Sequence, residues 1–127
     1  IMGPIDAIVS SVEGGGVREL KDVKEKDMIL DAGPKTIDML EGYAKDAKTI
    51  LWNGPLGHYE KGFAEGTLGL AQAMASTDAH TIIGGGDTVA SIESLELEHK
   101  FSFISTGGGA MLDYLTHGTL PGLEPLM

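Results

Sequence analysis

The fold of this chain is decided by HTIIGGGDTVASIESL, residues 80–95, in which an apolar run leads through three glycines into a helix-compatible stretch. The run from His80 to Ile83 predicts a strand, and the stretch from Asp87 predicts a helix. A glycine turn lets backbone N–H groups approach an anion closely, and the first helical turn adds unpaired N–H groups and the positive end of the helix dipole. This stretch therefore predicts a strand–turn–helix unit that can hold phosphate.

The same layout recurs further along, where Ser102–Ser105 leads through Gly107-Gly108-Gly109 into a second helix-compatible stretch. A third triple glycine, Gly14–Gly16, has no helical pattern with a capping residue behind it and is interpreted as a structural turn. One such turn is ambiguous, because glycine is common at strand-to-helix turns for steric reasons. Two turns with the same layout indicate a site.

Two similar units precede these along the chain. Met28–Leu30 leads through Asp31-Ala32-Gly33-Pro34 into a helix, and Thr49–Trp52 leads through the loop 53–57 into another. Ile5–Val12 is strand-like, and the segment after Gly16 predicts a second strand or an irregular stretch.

Alternating strands and helices at this spacing predict an α/β fold, a three-layer Rossmann-like parallel sheet with helices on both faces. Ligands of such sheets lie outside the carboxyl ends of the strands. The loops after Leu30, Trp52, Ile83 and Ser105 are therefore expected to meet on one rim.

Composition limits the possible partners. The chain has 127 residues, 42% of them hydrophobic, which predicts one soluble domain. Its formal net charge of −10 argues against nucleic-acid binding through a broad electrostatic footprint, so an anionic ligand must be held locally. No apolar run is long enough for a membrane span, and we expect a cytoplasmic protein. The chain has no cysteine, which excludes disulfides and thiolate metal sites within it. It begins at Ile1 instead of an initiator methionine, which is compatible with a piece of something longer.

Several loop residues have two interpretations. Asp87 is typical of a helix N-cap, yet a lone carboxylate beside a phosphate loop is sufficient for Mg²⁺, which takes its other oxygens from phosphates and water. Thr88 is a first-turn helix residue or a phosphate donor. Glu60 is a solvated residue or an acceptor for ribose hydroxyls, and Asn53 is a turn former or a phosphate donor. Trp52 is interpreted as core. The histidines lack metal-site spacing and a nucleophile partner, so they are interpreted as loop or surface residues: His58, His80, His99 and His117.

Five segments of the chain form an ordered set of motifs: DAGP (31–34), LWNGPLGHYE (51–60), GGGDT (84–88), STGGGA (105–110) and LPGL (120–123). Each motif alone is weak, but the ordered set is highly specific. In these motifs, in register and in order, the chain resembles the closing third of phosphoglycerate kinase. The resemblance is strong from about Met28 to the end and loose before it.

This resemblance implies a glycolytic enzyme that reversibly moves a phosphoryl group from 1,3-bisphosphoglycerate to ADP, with Mg²⁺, giving 3-phosphoglycerate and ATP. The family is monomeric and cytosolic, with one lobe for phosphoglycerate and one for nucleotide, joined by a closing hinge. Residues 1–127 would form a single, partial nucleotide-binding domain, the C-terminal portion of that two-lobe kinase.

Site roles follow from the same resemblance. The adenine pocket would be lined by Gly33, Gly57 and His58, and the ribose would be faced by Pro55 and Glu60. Asn53 would approach the phosphates, and Asp87 would bind Mg²⁺. The nucleotide phosphates would be held by Gly84, Gly85, Gly86 and Thr88. The candidate catalytic residues, whose amides would face the phosphoryl group in transit, are Gly86, Gly107, Gly108 and Gly109.

Departures from the family pattern are few. Tyr59 stands where the family usually has Phe, and Phe103 stands in place of a common His. Met111 and Asp113 replace Ser and Glu. The 127 residues contain neither the acid-sugar lobe nor the lysine-bearing glycine segment, so we expect no kinase activity from this chain alone.

Two alternatives stay open at this point. The first is a non-catalytic nucleotide-binding module, and the second is a purely structural fold in which the glycine turns only connect elements. An isolated half-lobe with an exposed sheet edge can also self-associate.

Overall fold

The computed structural model describes residues 1–127 and contains six strands and four helices. In chain order these are β1 (Asp6–Ser10), β2 (Gly16–Glu19), β3 (Met28–Ala32), α1 (Pro34–Asp46), β4 (Thr49–Asn53), α2 (Glu65–Ala75), β5 (His80–Gly84), α3 (Gly86–Ser94), β6 (Phe103–Ser105) and α4 (Gly108–His117). Single 3₁₀ turns lie at Leu20–Asp22, Tyr59–Lys61, Glu98–Lys100 and Glu124–Leu126.

The second half of the chain forms a parallel sheet with the order β4-β5-β6. Successive strands are joined through α2 and α3, because parallel neighbours need a crossover connection. The predicted α/β fold with a parallel sheet is therefore confirmed.

The first half forms a separate antiparallel sheet with the order β2-β1-β3. This differs from the expected arrangement, in which the strand ending at Leu30 joined the parallel sheet. In the structure Ala7 pairs with Ala32, and the Gly33 N–H donates to the Asp6 carbonyl at 3.0 Å. The local pattern predicted a strand here, but its partner is set by contacts with β1, which lies about 20 residues earlier in the chain.

The hydrophobic core lies between the parallel sheet and helices α2 and α3. Because side chains alternate along a strand, Trp52 and Ile83 face this core, whereas Leu51 and Phe103 face away and are 45% and 57% exposed. Trp52 is thus a core residue, as predicted. The buried members of the cluster are Trp52, Leu70, Ala71, Met74, Ile83, Ile92 and Phe101.

Asp6 joins β1 to the start of α1. Its fully buried carboxylate accepts the backbone N–H of Lys35 at 3.0 Å and that of Thr36 at 2.8 Å, and it also contacts the Thr36 hydroxyl at 2.8 Å. Burial by itself would raise the pKa of Asp6, but these hydrogen bonds outweigh it, so the pKa lies below its ordinary value of 3.8. The carboxylate therefore supplies a cap from a distant strand for first-turn amides that would otherwise lack an acceptor.

Glu19 adds a second link between the antiparallel sheet and α1. Its carboxylate accepts from the Lys35 ammonium at 2.7 Å and from the Lys21 ammonium at 3.1 Å. Hydrogen bonds from Lys35 and Lys21 lower the pKa of Glu19 from 4.5 to about 2. All three side chains are solvent-accessible, so this network is weaker than the buried Asp6 cap.

Acid should weaken the fold through Asp6. Because its pKa is lower in the folded chain than the ordinary 3.8, the folded state binds fewer protons, and stability falls as the pH drops through that value. Asp6→Asn places an amide N–H against backbone N–H groups, so we expect a loss of about 1–3 kcal/mol at neutral pH. The variant should also lose less stability between neutral and acidic pH than the wild type. Urea unfolding at several pH values measures both effects.

The exposed Asp113→Asn, on α4, is the matched control and should follow the wild-type pH profile. If Asp6→Asn had wild-type stability at neutral pH and an unchanged acid profile, the Asp6 cap would not contribute as described.

Candidate functional site

The three strands of the parallel sheet end side by side. In the ladder Asn53 pairs with Gly84, and Gly84 pairs with Ser105. The loops after these residues leave from the same carboxyl edge, where ligands of parallel sheets bind. Three of the four loops expected on a common rim are therefore together.

The fourth loop follows a strand of the other, antiparallel sheet, although Leu30 of that strand contacts the loop after β4. Asp31 lies inside β3 of the antiparallel sheet and is 3% exposed. Its carboxylate accepts the Gly66 N–H in the first turn of α2 at 2.9 Å and the Ala32 N–H at 2.8 Å. Asp31 therefore caps a helix instead of facing the rim of the parallel sheet.

The two glycine turns on the rim pack directly against each other. A Cβ on Gly108 would collide with the Gly85 amide nitrogen and would lie 2.6 Å from Asn53 Oδ1. A Cβ on Gly84 would lie 2.5 Å from the same oxygen and 2.7 Å from the Met111 Cε. Glycine is needed at these two positions because the starts of α3 and α4 meet around the Asn53 side chain.

Gly85 makes the turn into α3. Its φ of +94° belongs to the region that favours glycine, and it is the N-cap residue of the helix. The helix therefore begins at Gly86, and Asp87 lies inside the first turn instead of at the N-cap.

The four helices differ in how their N-termini are satisfied. The first-turn amides of α1 and α2 donate to Asp6 and Asp31, carboxylates that come from other elements. Neither N-cap residue on the rim, Gly85 or Gly107, offers a side-chain acceptor to its helix. No side chain from elsewhere accepts the first-turn amides of α3 or α4 either, and Gly86 and Gly109 are exposed. The rim thus presents two sets of N–H groups that an anion can bind.

Asp87 is half-buried in the first turn of α3. No group of three or more His, Cys, Asp or Glu side chains lies close enough together to hold a metal ion. A single carboxylate beside open helix amides fits Mg²⁺, since this ion usually keeps several waters and takes further oxygens from phosphates.

Thr88 is fully buried, and its hydroxyl accepts the Gly54 N–H at 2.9 Å. The Gly54 carbonyl in turn accepts the Trp52 indole N–H at 2.7 Å. Gly54, with a φ of +114°, is thus held on both sides of its backbone. In this structure the Thr88 hydroxyl joins the loop after β4 to α3.

Two further contacts hold the rest of that loop. The Leu56 N–H donates to the buried Thr67 hydroxyl at 3.0 Å, and the His58 N–H donates to the Leu30 carbonyl at 2.9 Å. A pocket of about 190 Å³ opens here, lined by Ile29, Leu30, Asp31, Leu56, Gly57 and His58. The loop is therefore fixed against α2 and against β3 of the antiparallel sheet.

The remaining predicted site residues occupy different surroundings. Gly57 and His58 lie together at this pocket, whereas Gly33 is buried against the Asp6 carboxylate, which fills the space a Cβ would need. Pro55 is half-buried, and Glu60 is exposed in the 3₁₀ turn after the loop. The sequence did not indicate that Thr67 holds this loop. Its position in a helix gives no sign that its hydroxyl accepts the N–H of Leu56, 11 residues earlier.

The parallel strands, their crossover helices and the glycine turns at the carboxyl edge define the class of Rossmann-like α/β proteins. A family model described as phosphoglycerate kinase matches residues 1–118. The chain belongs to the phosphoglycerate kinase family.

Known relatives agree with this assignment. The phosphoglycerate kinase of Fusobacterium nucleatum is 42% identical over 132 aligned positions, which cover 99% of this chain and 33% of that protein. The phosphoglycerate kinase of Lactobacillus helveticus is 47% identical over 128 positions, covering 97% of this chain and 32% of that protein. This chain therefore spans about a third of the length of the curated relatives it matches.

Solved structures show the same fold. The chain superposes on phosphoglycerate kinase from Pyrococcus horikoshii with a TM-score of 0.83 at 32% identity, covering 99% of this chain and 32% of that one. For the phosphoglycerate kinase from Coxiella burnetii the TM-score is 0.79 at 39% identity, covering 90% of this chain and 31% of that one.

None of the helices is long and apolar enough to cross a membrane.

The contact between the two glycine turns can be tested with neighbouring glycines. Gly108→Ala should lower the free energy of unfolding by about 1–3 kcal/mol, because the added methyl group overpacks the Gly85 and Asn53 contacts. A Cβ on Gly109 meets nothing within 4 Å, so Gly109→Ala should leave stability unchanged or raise it by up to about 1 kcal/mol. Urea unfolding of both variants compares them.

Equal losses for Gly108→Ala and Gly109→Ala would contradict this packing. The test compares the free energies of unfolding of the two variants, because both replace a glycine in the first turn of the same helix.

Proposed function

We propose that this chain is the C-terminal portion of the nucleotide-binding lobe of a phosphoglycerate kinase, which reversibly transfers a phosphoryl group from 1,3-bisphosphoglycerate to ADP and gives 3-phosphoglycerate and ATP. The observation that carries this proposal is the pair of uncapped helix N-termini on the rim, packed together through Gly85 and Gly108. Family membership supports the reaction, and the two sets of open amides support the place where phosphate binds.

Phosphoryl transfer asks little covalent chemistry of a protein and much stabilisation of charge. In the proposed arrangement, the α3 amides beginning at Gly86 bind the nucleotide phosphates, and the α4 amides at Gly108 and Gly109 face the phosphoryl group. Asn53 lies between them. Each helix start also supplies part of its dipole, worth about 0.3–1 kcal/mol for an anion at an exposed site.

Asp87 is the residue proposed to hold Mg²⁺ when the nucleotide is bound. The ion would supply positive charge against the phosphate oxygens. A chain with 19 acidic and 9 basic side chains has an overall charge that repels a polyphosphate, so local compensation matters here.

The nucleoside is proposed to occupy the side of the rim formed by the loop after β4. There Gly57 and His58 line the 190 Å³ pocket together with apolar Ile29 and Leu56. Pro55 within this loop and Glu60 in the turn after it are the residues proposed for the ribose. Gly33 is the weakest member of the proposed set, because its Cα faces the buried Asp6 carboxylate.

The chain by itself is proposed to bind nucleotide without catalysing transfer, which makes it a nucleotide-binding module when isolated. The span of about a third of its relatives favours this behaviour. ATP formed from 1,3-bisphosphoglycerate and ADP by the purified chain, above a control that lacks the chain, would contradict this part of the proposal. Cytoplasmic location is proposed from the glycolytic reaction of the family.

Calorimetric titration tests the nucleotide site. The wild-type chain should bind ADP more tightly with Mg²⁺ than with EDTA. Asp87→Ala removes a charged contact worth about 1.5–3 kcal/mol, so we expect its Kd for Mg-ADP to rise about tenfold or more. With EDTA the same variant should bind ADP at least as well as the wild type, because the carboxylate then only repels phosphate.

Asp113→Ala is the control, since this exposed aspartate lies on α4 away from its first turn. Mg²⁺-dependent binding that survives in Asp87→Ala would exclude Asp87 as the metal ligand. No binding by the folded wild-type chain would favour the purely structural alternative.

A further inference from the structure

Asn53 is the only asparagine of the chain, and a glycine follows it. Among dipeptides, asparagine followed by glycine loses its side-chain amide most readily, because glycine has no side chain to hinder its backbone nitrogen. The chain therefore has one asparagine that can lose its amide by this route, and it lies at the end of β4 on the candidate site.

The reaction needs only the chain, a solvent base and water. The Gly54 nitrogen loses its proton to the base and attacks the Asn53 Cγ, forming a C–N bond. The bond from Cγ to the side-chain nitrogen breaks, and that nitrogen leaves as ammonia after taking up a proton. Water then opens the cyclic imide at either carbonyl, which gives aspartate or isoaspartate.

The structure opposes the first of these steps. The Gly54 N–H is engaged with the Thr88 hydroxyl at 2.9 Å, and Thr88 is fully buried. The Gly54 carbonyl, in the following peptide unit, accepts the Trp52 indole N–H, so the peptide units on both sides of the Gly54 Cα are held by hydrogen bonds. The attacking nitrogen is therefore occupied in the folded state.

The electrophile is held as well. Asn53 is part of the β-ladder opposite Gly84, and its Oδ1 packs against Gly84 and Gly108. Turning the Cγ towards the following nitrogen would withdraw Oδ1 from both of these contacts. Cyclisation thus breaks both the Oδ1 packing and the hydrogen bond of Gly54 to Thr88 at the end of β4.

We propose that Asn53–Gly54 is a self-modification site that the Thr88 hydroxyl keeps closed, and that opening of the loop converts Asn53 to aspartate or isoaspartate. The product places a carboxylate where the starts of α3 and α4 meet. Isoaspartate also lengthens the backbone by one methylene at the β4 end. The deamidation itself does not depend on the proposed function. The expectation that the new carboxylate weakens nucleotide binding does rest on the proposed function.

Deamidation rates test the proposal. The purified chain is incubated at mildly alkaline pH, and the conversion of Asn53 is followed by peptide mass mapping with enzymatic detection of isoaspartate. Folded wild type should react much more slowly than the same chain in urea. Thr88→Val should react about fivefold to tenfold faster than folded wild type, the factor expected for the loss of one neutral hydrogen bond. Thr88→Ser, which keeps a hydroxyl, should restore protection.

Thr67→Val is the matched control. Thr67 is equally buried and binds the same loop through the Leu56 N–H, but it touches neither partner of the reaction. Its deamidation rate should stay near that of the wild type. A folded Thr88→Val that reacts at the wild-type rate, or folded wild type that reacts as fast as the unfolded chain, would overturn the proposal.

Circular dichroism shows whether Thr88→Val folds. If it does not, hydrogen exchange of the Gly54 amide in the wild type decides the matter. Slow exchange supports the closed state, and exchange at the rate of a free peptide refutes it. Asn53→Asp then separates the two proposals, because Mg-ADP binding by this variant at wild-type affinity would contradict the phosphate site while leaving the modification intact.

Discussion

The structure depends on how the open amides at the start of each helix are satisfied. A helix leaves its first N–H groups without intrahelical partners, and burying them unpaired is costly. Asp6 and Asp31 meet this need for α1 and α2 from neighbouring strands. The starts of α3 and α4 are left uncapped on the rim, where solvent or a ligand can reach the exposed Gly86 and Gly109. The same constraint thus divides the helices into two that serve the scaffold and two that are available for binding.

The loop after β4 connects the scaffold to this rim. Three backbone N–H groups of this loop donate hydrogen bonds to different elements. The Gly54 N–H donates to Thr88 in α3, and the Leu56 N–H donates to Thr67 in α2. The His58 N–H donates to the Leu30 carbonyl in β3. Side chains that are fully buried provide two of these acceptors. Such a loop is held before any ligand arrives, which lowers the ordering cost of binding. It also restrains the one asparagine that could change chemically at this position.

Much of the fold could be predicted from local pattern. The strand, the glycine turn and the helix at residues 80–94 follow directly from apolar periodicity and the special freedom of glycine, and the structure contains them. The meeting of Asn53, Gly84 and Ser105 also follows from the general geometry of parallel sheets.

The rest depends on contacts between distant residues. β3 was expected in the parallel sheet because its local pattern cannot show that β1 offers it an antiparallel partner. The caps by Asp6 and Asp31 span about 30 residues, as does the contact between Thr88 and Gly54. Asp31 looks like a rim residue in the sequence, since it follows an apolar run, and only its burial against α2 reveals its role.

The central claim is that an anion binds the open amides at the starts of α3 and α4. A titration of the ¹⁵N-labelled chain with Mg-ADP, followed by amide NMR shifts, tests it most directly. We expect the largest shifts at Gly86, Asp87, Gly108 and Gly109, with small shifts at Lys35 and Gly66, whose amides donate to Asp6 and Asp31. Shifts concentrated at Lys35 and Gly66, with the rim amides unmoved, would contradict the account.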